Sequence, residues 1–152
     1  MRHRTLEKGG ATYGEKTLLK EICFGSGGGS VGIYFGGSGG GIIELIIQQQ
    51  LINYGSIQSN GGDGSISGGG GSGGSISIEL QYQCKNPHIY YRPPHQFHQN
   101  KLEQNFGTIK CIGGNQNRMN KGGKGRITIY GIELSSNDIK NIDPKPFNSR
   151  HK

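Results

Sequence analysis

The chain has 152 residues, 30 of them glycine, with 17 Lys+Arg against ten Asp+Glu, a formal charge of +7 and an apolar share of 30%. That length suits one domain with one core, and the longest apolar run, Ile42 to Ile47, has six residues, far short of the roughly 18 that would mark a transmembrane helix. Three cysteines, Cys23, Cys84 and Cys111, include no C-x-x-C pair, so zinc ribbons and dithiol redox motifs have no support.

Residues 1–22 read as a charged lead-in, with a short strand or helical turn at Leu18 to Ile22. Met1 to Lys8 is basic, but no apolar stretch follows, so it does not read as a secretory signal. The chain then reads either as intracellular or as a piece of a larger secreted protein. Residues 25–41 are a glycine tract interrupted by Val31-Gly32-Ile33-Tyr34-Phe35, and residues 42–52 are a strand followed by a polar Gln48-Gln49-Gln50 and a second apolar pair, Leu51-Ile52. A second glycine tract, 61–75, runs into the alternating Ile76-Ser77-Ile78. Residues 86–104 hold three prolines, three histidines and three aromatics without periodicity, and read as an inserted loop. Ile109 to Ile112 and Ile127 to Leu134 are further strand-like clusters, and 132–152 reads as a polar, irregular tail.

A low apolar share with abundant glycine would ordinarily suggest disorder. Here β-branched isoleucine clusters between glycines, which is the mark of short strands. One phrase recurs: Gly36 to Leu45, Gly70 to Leu80 and Gly122 to Ile129 each run from glycine into isoleucine. A second, Tyr54-Gly55-Ser56-Ile57-Gln58-Ser59-Asn60-Gly61-Gly62, returns as Phe106 to Gly114. The intervals from Ile42 to Ile57, from Ile57 to Ile76 and from Ile109 to Ile127 are similar in length, and only the one from Ile76 to Ile109, which contains the inserted loop, is much longer. Units this small bury an apolar face only by stacking. The expected fold is therefore all-β: a single-stranded parallel β-helix, or β-solenoid, one coil per step, over 23–131, with an antiparallel β-sandwich as the alternative. Glycine would serve its corners, with Asn60 and Asn115 in left-handed positions. Isoleucine would point in and Ser or Thr out, and unpaired end strands would favour end-to-end self-association.

The phrases resemble glycine-rich repeat segments of large surface or extracellular proteins of bacteria and protists, which run GGGSGGSI-x-I, G-x-I-x-x-NGG and GGGGRI-x-I. The resemblance covers about residues 9–131. It implies a right-handed parallel β-helix, usually one module of an adhesin-like protein at the cell surface, without catalytic residues.

The chemistry candidates are few. Tyr82, Tyr90, Tyr91, Arg92 and Phe97 could stack on sugar rings or bases, and with His95 and His98 they form the candidate contact segment: Tyr90, Tyr91, Arg92, His95, Phe97 and His98. Cys84, His88, His95 and His98 have ligand-like side chains, but their spacing matches no zinc signature, so no metal is expected. Gly61-Gly62-Asp63-Gly64 is a lone copy of a calcium-repeat-like turn. Glu44 and Glu79 stand at equivalent points of two repeats and would stack on one face. No phosphate-loop motif exists. A Cys84–Cys111 disulfide and three free thiols both stay open. The favoured function is a non-catalytic structural or adhesive module without cofactor, its partner a polysaccharide or another protein chain, with no membrane insertion. A carbohydrate-active enzyme on the same fold is the alternative. The basic charge keeps a nucleic-acid binder as a third reading, which the scattered Arg-Gly pairs support only weakly.

Overall fold

The computed structural model describes residues 14–81, 103–115, 120–150 and 152. Among the described residues seven strands and one short helix follow in order: β1 (Ile42–Ile47), β2 (Ser56–Gln58), β3 (Ser75–Leu80), β4 (Thr108–Lys110), β5 (Arg126–Tyr130), α1 (Ser136–Lys140), β6 (Ile142–Asp143) and β7 (Phe147–Ser149). Successive strands alternate between two sheets, one ordered β1-β3-β5-β7 and the other β2-β4-β6. Every strand-to-strand pairing in these sheets is parallel, which removes the antiparallel sandwich.

The register explains the sequence spacing. One step of the repeat carries the chain from one sheet to the other, so pairing comes after two steps rather than one. Ile43 pairs with Ile76, and Ile109 with Ile142, across equal intervals. Ile76 pairs with Ile127, and Ile57 with Ile109, across longer ones. Both longer intervals contain the sequence insertion.

Parallel stacking lines up like side chains. Ile43, Ile76 and Ile127 form one row, Leu45, Ile78 and Ile129 a second, and Ile57, Ile109 and Ile142 a third across the core. The members from β3 to β6 are fully or nearly fully buried, and each such side chain contributes roughly 1.5–3 kcal/mol of transfer free energy. Phe106, Cys111, Ile132 and Leu134 complete the cluster.

Ser77 and Thr128 do face away from this core, yet they are buried, and the Thr128 hydroxyl donates to Ser77 Oγ at 3.2 Å. The lead-in covers them. Tyr130 Oη donates to Thr17 O at 2.5 Å, Ser75 Oγ to Cys23 O at 2.6 Å, and Arg126 to Gly14 O at 3.3 Å. Residues 14–23 thus lie as a strap over the outer side of β3 and β5. The strap holds neither a strand nor a helix, and Leu18 within it sits at φ 50 with its side chain buried.

Glycine does something other than turn corners. Among the described glycines only Gly14, Gly32, Gly107 and Gly131 have positive φ. The rest of the glycine tracts form extended segments, 25–29, 36–41, 59–64, 68–74, 111–115 and 120–125, that hydrogen-bond side by side. Segment 68–74 is central. The amides of Gly69 and Ser72 donate to Gly29 and Ser26, those of Gly70 and Gly73 to Asn120 and Gly123, and those of Gly71 and Gly74 to Gly62 and Ser59, all at 2.8–2.9 Å. Three neighbours are served in rotation, the three-residue repeat of a polyproline II type helix. Its carbonyls receive two further neighbours: Gly37 and Gly40 donate to Gly69 and Ser72, and Gly114 donates to Gly71, each at 2.8 Å. Such packing needs residues without a β-carbon. A Cβ on Gly71 would stand 1.9 Å from Ser38 O.

Strands and bundle are continuous. Segments 36–41, 68–74 and 120–125 lead into β1, β3 and β5, while β2 and β4 lead into 59–64 and 111–115. Asn60 and Asn115 are not left-handed. Asn60 Oδ1 instead accepts the Ile112 amide at 3.0 Å, and the Asn115 amide donates to Asp63 Oδ1 at 2.6 Å.

The tail read as irregular is ordered. A capping box between Ser135 and Asp138 starts α1, which packs beside β6, and β6 and β7 each add a strand to a sheet. Strands this short, set among Pro, Asn and Asp, carry too little periodicity to be read from sequence.

Candidate interaction surface

The contact segment proposed from sequence, Tyr90, Tyr91, Arg92, His95, Phe97 and His98, lies outside the described residues, as do Tyr82, Cys84 and His88. Cys23 and Cys111 are free thiols, and burial pushes the Cys111 thiol up to about 12. Among the described residues no cluster of His, Cys, Asp and Glu could hold a metal ion, and no helix is long and apolar enough to cross a membrane.

Glu44 and Glu79 are not at equivalent register. Glu44 pairs with Ser77, while Glu79 pairs with Ile46. They share the outer face of the sheet and meet through Lys152, whose Nζ lies 2.8 Å from Glu79 and 3.9 Å from Glu44. The lysine and the Gln81 amide hold the Glu79 carboxyl below its usual range, and Glu79 in turn raises Lys152. Beside them a groove of about 290 Å³ opens at the strand ends farthest from the glycine bundle, lined by Leu80, Gln81, Tyr130 and Arg150. Its ionic groups are already partnered: Arg150 is bonded to Glu133 and Lys152 to Glu79.

A different surface stands out at the other end. The bundle turns back on itself at a common level. Val31 and Tyr34 exchange both backbone hydrogen bonds at 3.0 Å, around a tight turn in which Gly32 supplies φ +59, as a short hairpin requires. Residues 65–68 form a second turn, closed by the Gly68 amide donating to Ser65 O at 2.8 Å. The Ser65 amide donates to Phe35 O at 2.9 Å and its hydroxyl does so at 3.0 Å, tying the two turns together. Alongside, Gly64 donates to Asn115 O and Gly70 to Asn120 O, bringing the ends of the third connection to the same level.

These turns expose apolar side chains that a soluble core would normally take in. Ile33 is 80% exposed, Phe35 74%, Ile66 70% and Val31 51%. Isolated exposed apolar residues are ordinary, whereas a group on adjoining turns is a candidate interaction surface. In the sequence Val31 to Phe35 read only as an interruption of a glycine tract. Apolar residues flanked on both sides by glycine were the available signal, because glycine segments cannot bury them.

Comparison with family models, with curated proteins and with solved structures returns no match.

Proposed function

We propose that this chain is a non-catalytic structural and adhesive module of a surface or extracellular protein, built as a two-sheet parallel β-solenoid that continues into a glycine bundle. The observation that carries this reading is the tip: Val31, Ile33, Phe35 and Ile66 are displayed on tied turns at the end of a bundle whose amides are spent on one another. Backbone hydrogen bonding on this scale fixes the turns in space, which spares a partner the ordering cost of flexible loops. Burying four such side chains would supply several kcal/mol, at roughly 1.5–3 kcal/mol each.

The partner is a polysaccharide or a protein chain. The apolar tip, three aliphatic side chains and Phe35, favours a protein, since apolar side chains fill the buried centres of protein–protein contacts. The reading is tested by surface plasmon resonance on immobilised polysaccharides and cell-surface protein fractions, with reducing-sugar release measured in parallel. Binding without turnover, abolished by the double substitution Ile33→Ser and Phe35→Ser, is the expected result. Release of sugar, or binding indifferent to that substitution, would overturn it.

A further inference from the structure

The two-sheet stack is finished at one end and unfinished at the other. At the β6/β7 end the edge strands are short, Pro144 and Pro146 flank them, and Lys145 is exposed between. Asn148 Nδ2 there donates to Ile129 O and Ile132 O at 2.9 and 2.8 Å, closing the layer. Short strands, proline and lysine are the usual protection of a sheet edge.

The β1/β2 end is less protected: β2 is as short as β7, but β1 is not. β1 offers a longer strand with neither Pro nor Lys, and its outer edge has no described strand beside it. Ile43, Leu45 and Ile57 belong to the same rows as fully buried Ile76, Ile78 and Ile109, yet they are only half buried. Tyr54 precedes β2 in the repeated phrase as Phe106 precedes β4; Phe106 is 2% exposed and Tyr54 87%. The surface left open has the composition of the layer beneath it.

Charge narrows the occupant. No Lys or Arg occurs from residue 21 to residue 84, although the chain carries 17. Two copies of a +7 chain repel less where they meet on faces that carry little unpaired positive charge; β1 and β2 contain no cation, and Lys152, which lies 3.9 Å from Glu44 of β1, is already paired with Glu79. We propose that the β1/β2 end is the interface of a symmetric homodimer. Two-fold symmetry presents the same patch from both copies, so β1 pairs antiparallel with β1 of the second copy. Opposed residues must share a face, which centres the pairing on Leu45: Ile43 then faces Ile47 of the second copy, and Glu44 faces Ile46. Centring on Glu44 would set two carboxylates against each other, which is destabilising.

Sedimentation equilibrium of the full chain across the micromolar range tests this. A reversible dimer is expected, and Tyr54→Lys, at an exposed position, should raise its dissociation constant about tenfold or more. Leu45→Cys should form a disulfide-linked dimer above the wild-type background under mild oxidation, and Ile42→Cys should not. A monomer at every concentration overturns the proposal, including one in which residues 82–102 of the same chain cover the face. A dimer indifferent to Tyr54→Lys that fails to cross-link through Leu45→Cys overturns it equally.

Discussion

Replacing Gly71 with alanine should unfold the protein far more readily than replacing Gly123, though both lie in glycine tracts. The new methyl on residue 71 would stand 1.9 Å from Ser38 O, 2.5 Å from Ser38 C and 2.9 Å from Gly37 O. All three are backbone atoms, so no side chain can swing aside. Ordinary contact begins near 3.4 Å, and segment 36–41 must therefore retreat by about 1.5 Å, far enough to break close-packed contacts. Gly37→Gly69 and Gly40→Ser72, the two bonds that hold it to segment 68–74, are 2.8 Å long and would not survive. Leaving their donors and acceptors unsatisfied costs about 1–3 kcal/mol per bond, or about 2–6 kcal/mol in all. A Cβ on Gly123 meets nothing within 4 Å, so Gly123→Ala should change stability by no more than about 0.5 kcal/mol. Urea unfolding followed by circular dichroism measures both. Equal, small losses for the two variants would refute the packed-bundle reasoning.

The buried Cys111 thiol, pushed up to about 12, titrates nearer 8.5 when unfolded. The folded state thus favours the neutral thiol, and its contribution is intact below about pH 8.5 and lost as pH rises from there towards about 12. The stability difference between wild type and Cys111→Ala should shift by up to about 1.4 kcal/mol per pH unit over that window. Glu79 behaves oppositely. Lys152 lowers its carboxyl, so its contribution is present at neutral pH and falls away as pH drops below about 4.5. Because the pair is partly exposed, Glu79→Gln should cost at most about 1 kcal/mol at pH 7 in thermal unfolding. Tyr130→Phe removes the hydroxyl that holds Thr17 O. It should cost about 1 kcal/mol, and limited trypsin digestion should cut faster at Lys16 and Lys20.

The strands were legible because each isoleucine cluster is bounded by glycine, and parallel pairing followed from the repetition of the same phrase. Ile76 and Ile127 stack as the copies suggest, but their partner in β1 is Ile43, one residue beyond the Ile42 from which the spacing is counted. The spacing did not reveal that one step spans two sheets, since a step of that length fits either arrangement. Glycine misled for a physical reason. Turn glycines and packed glycines look alike in sequence, and only the neighbours' carbonyls, as at Gly71, distinguish a need for positive φ from a need for no β-carbon. Ser77 and Thr128 were read as surface hydroxyls because alternation tells which side chains share a face and not what covers it. The exposed tip was equally hidden, because Ile33 and Ile66 look like core residues until the glycine segments beside them leave nowhere to bury.

Hydrogen exchange of the amides from Gly69 to Gly74 tests the central claim most directly, namely that the glycine tracts are a hydrogen-bonded bundle and not turns. These amides should exchange as slowly as those of β3, with protection lost only on global unfolding. Exchange at the rate of an open loop, while β3 stays protected, would contradict it.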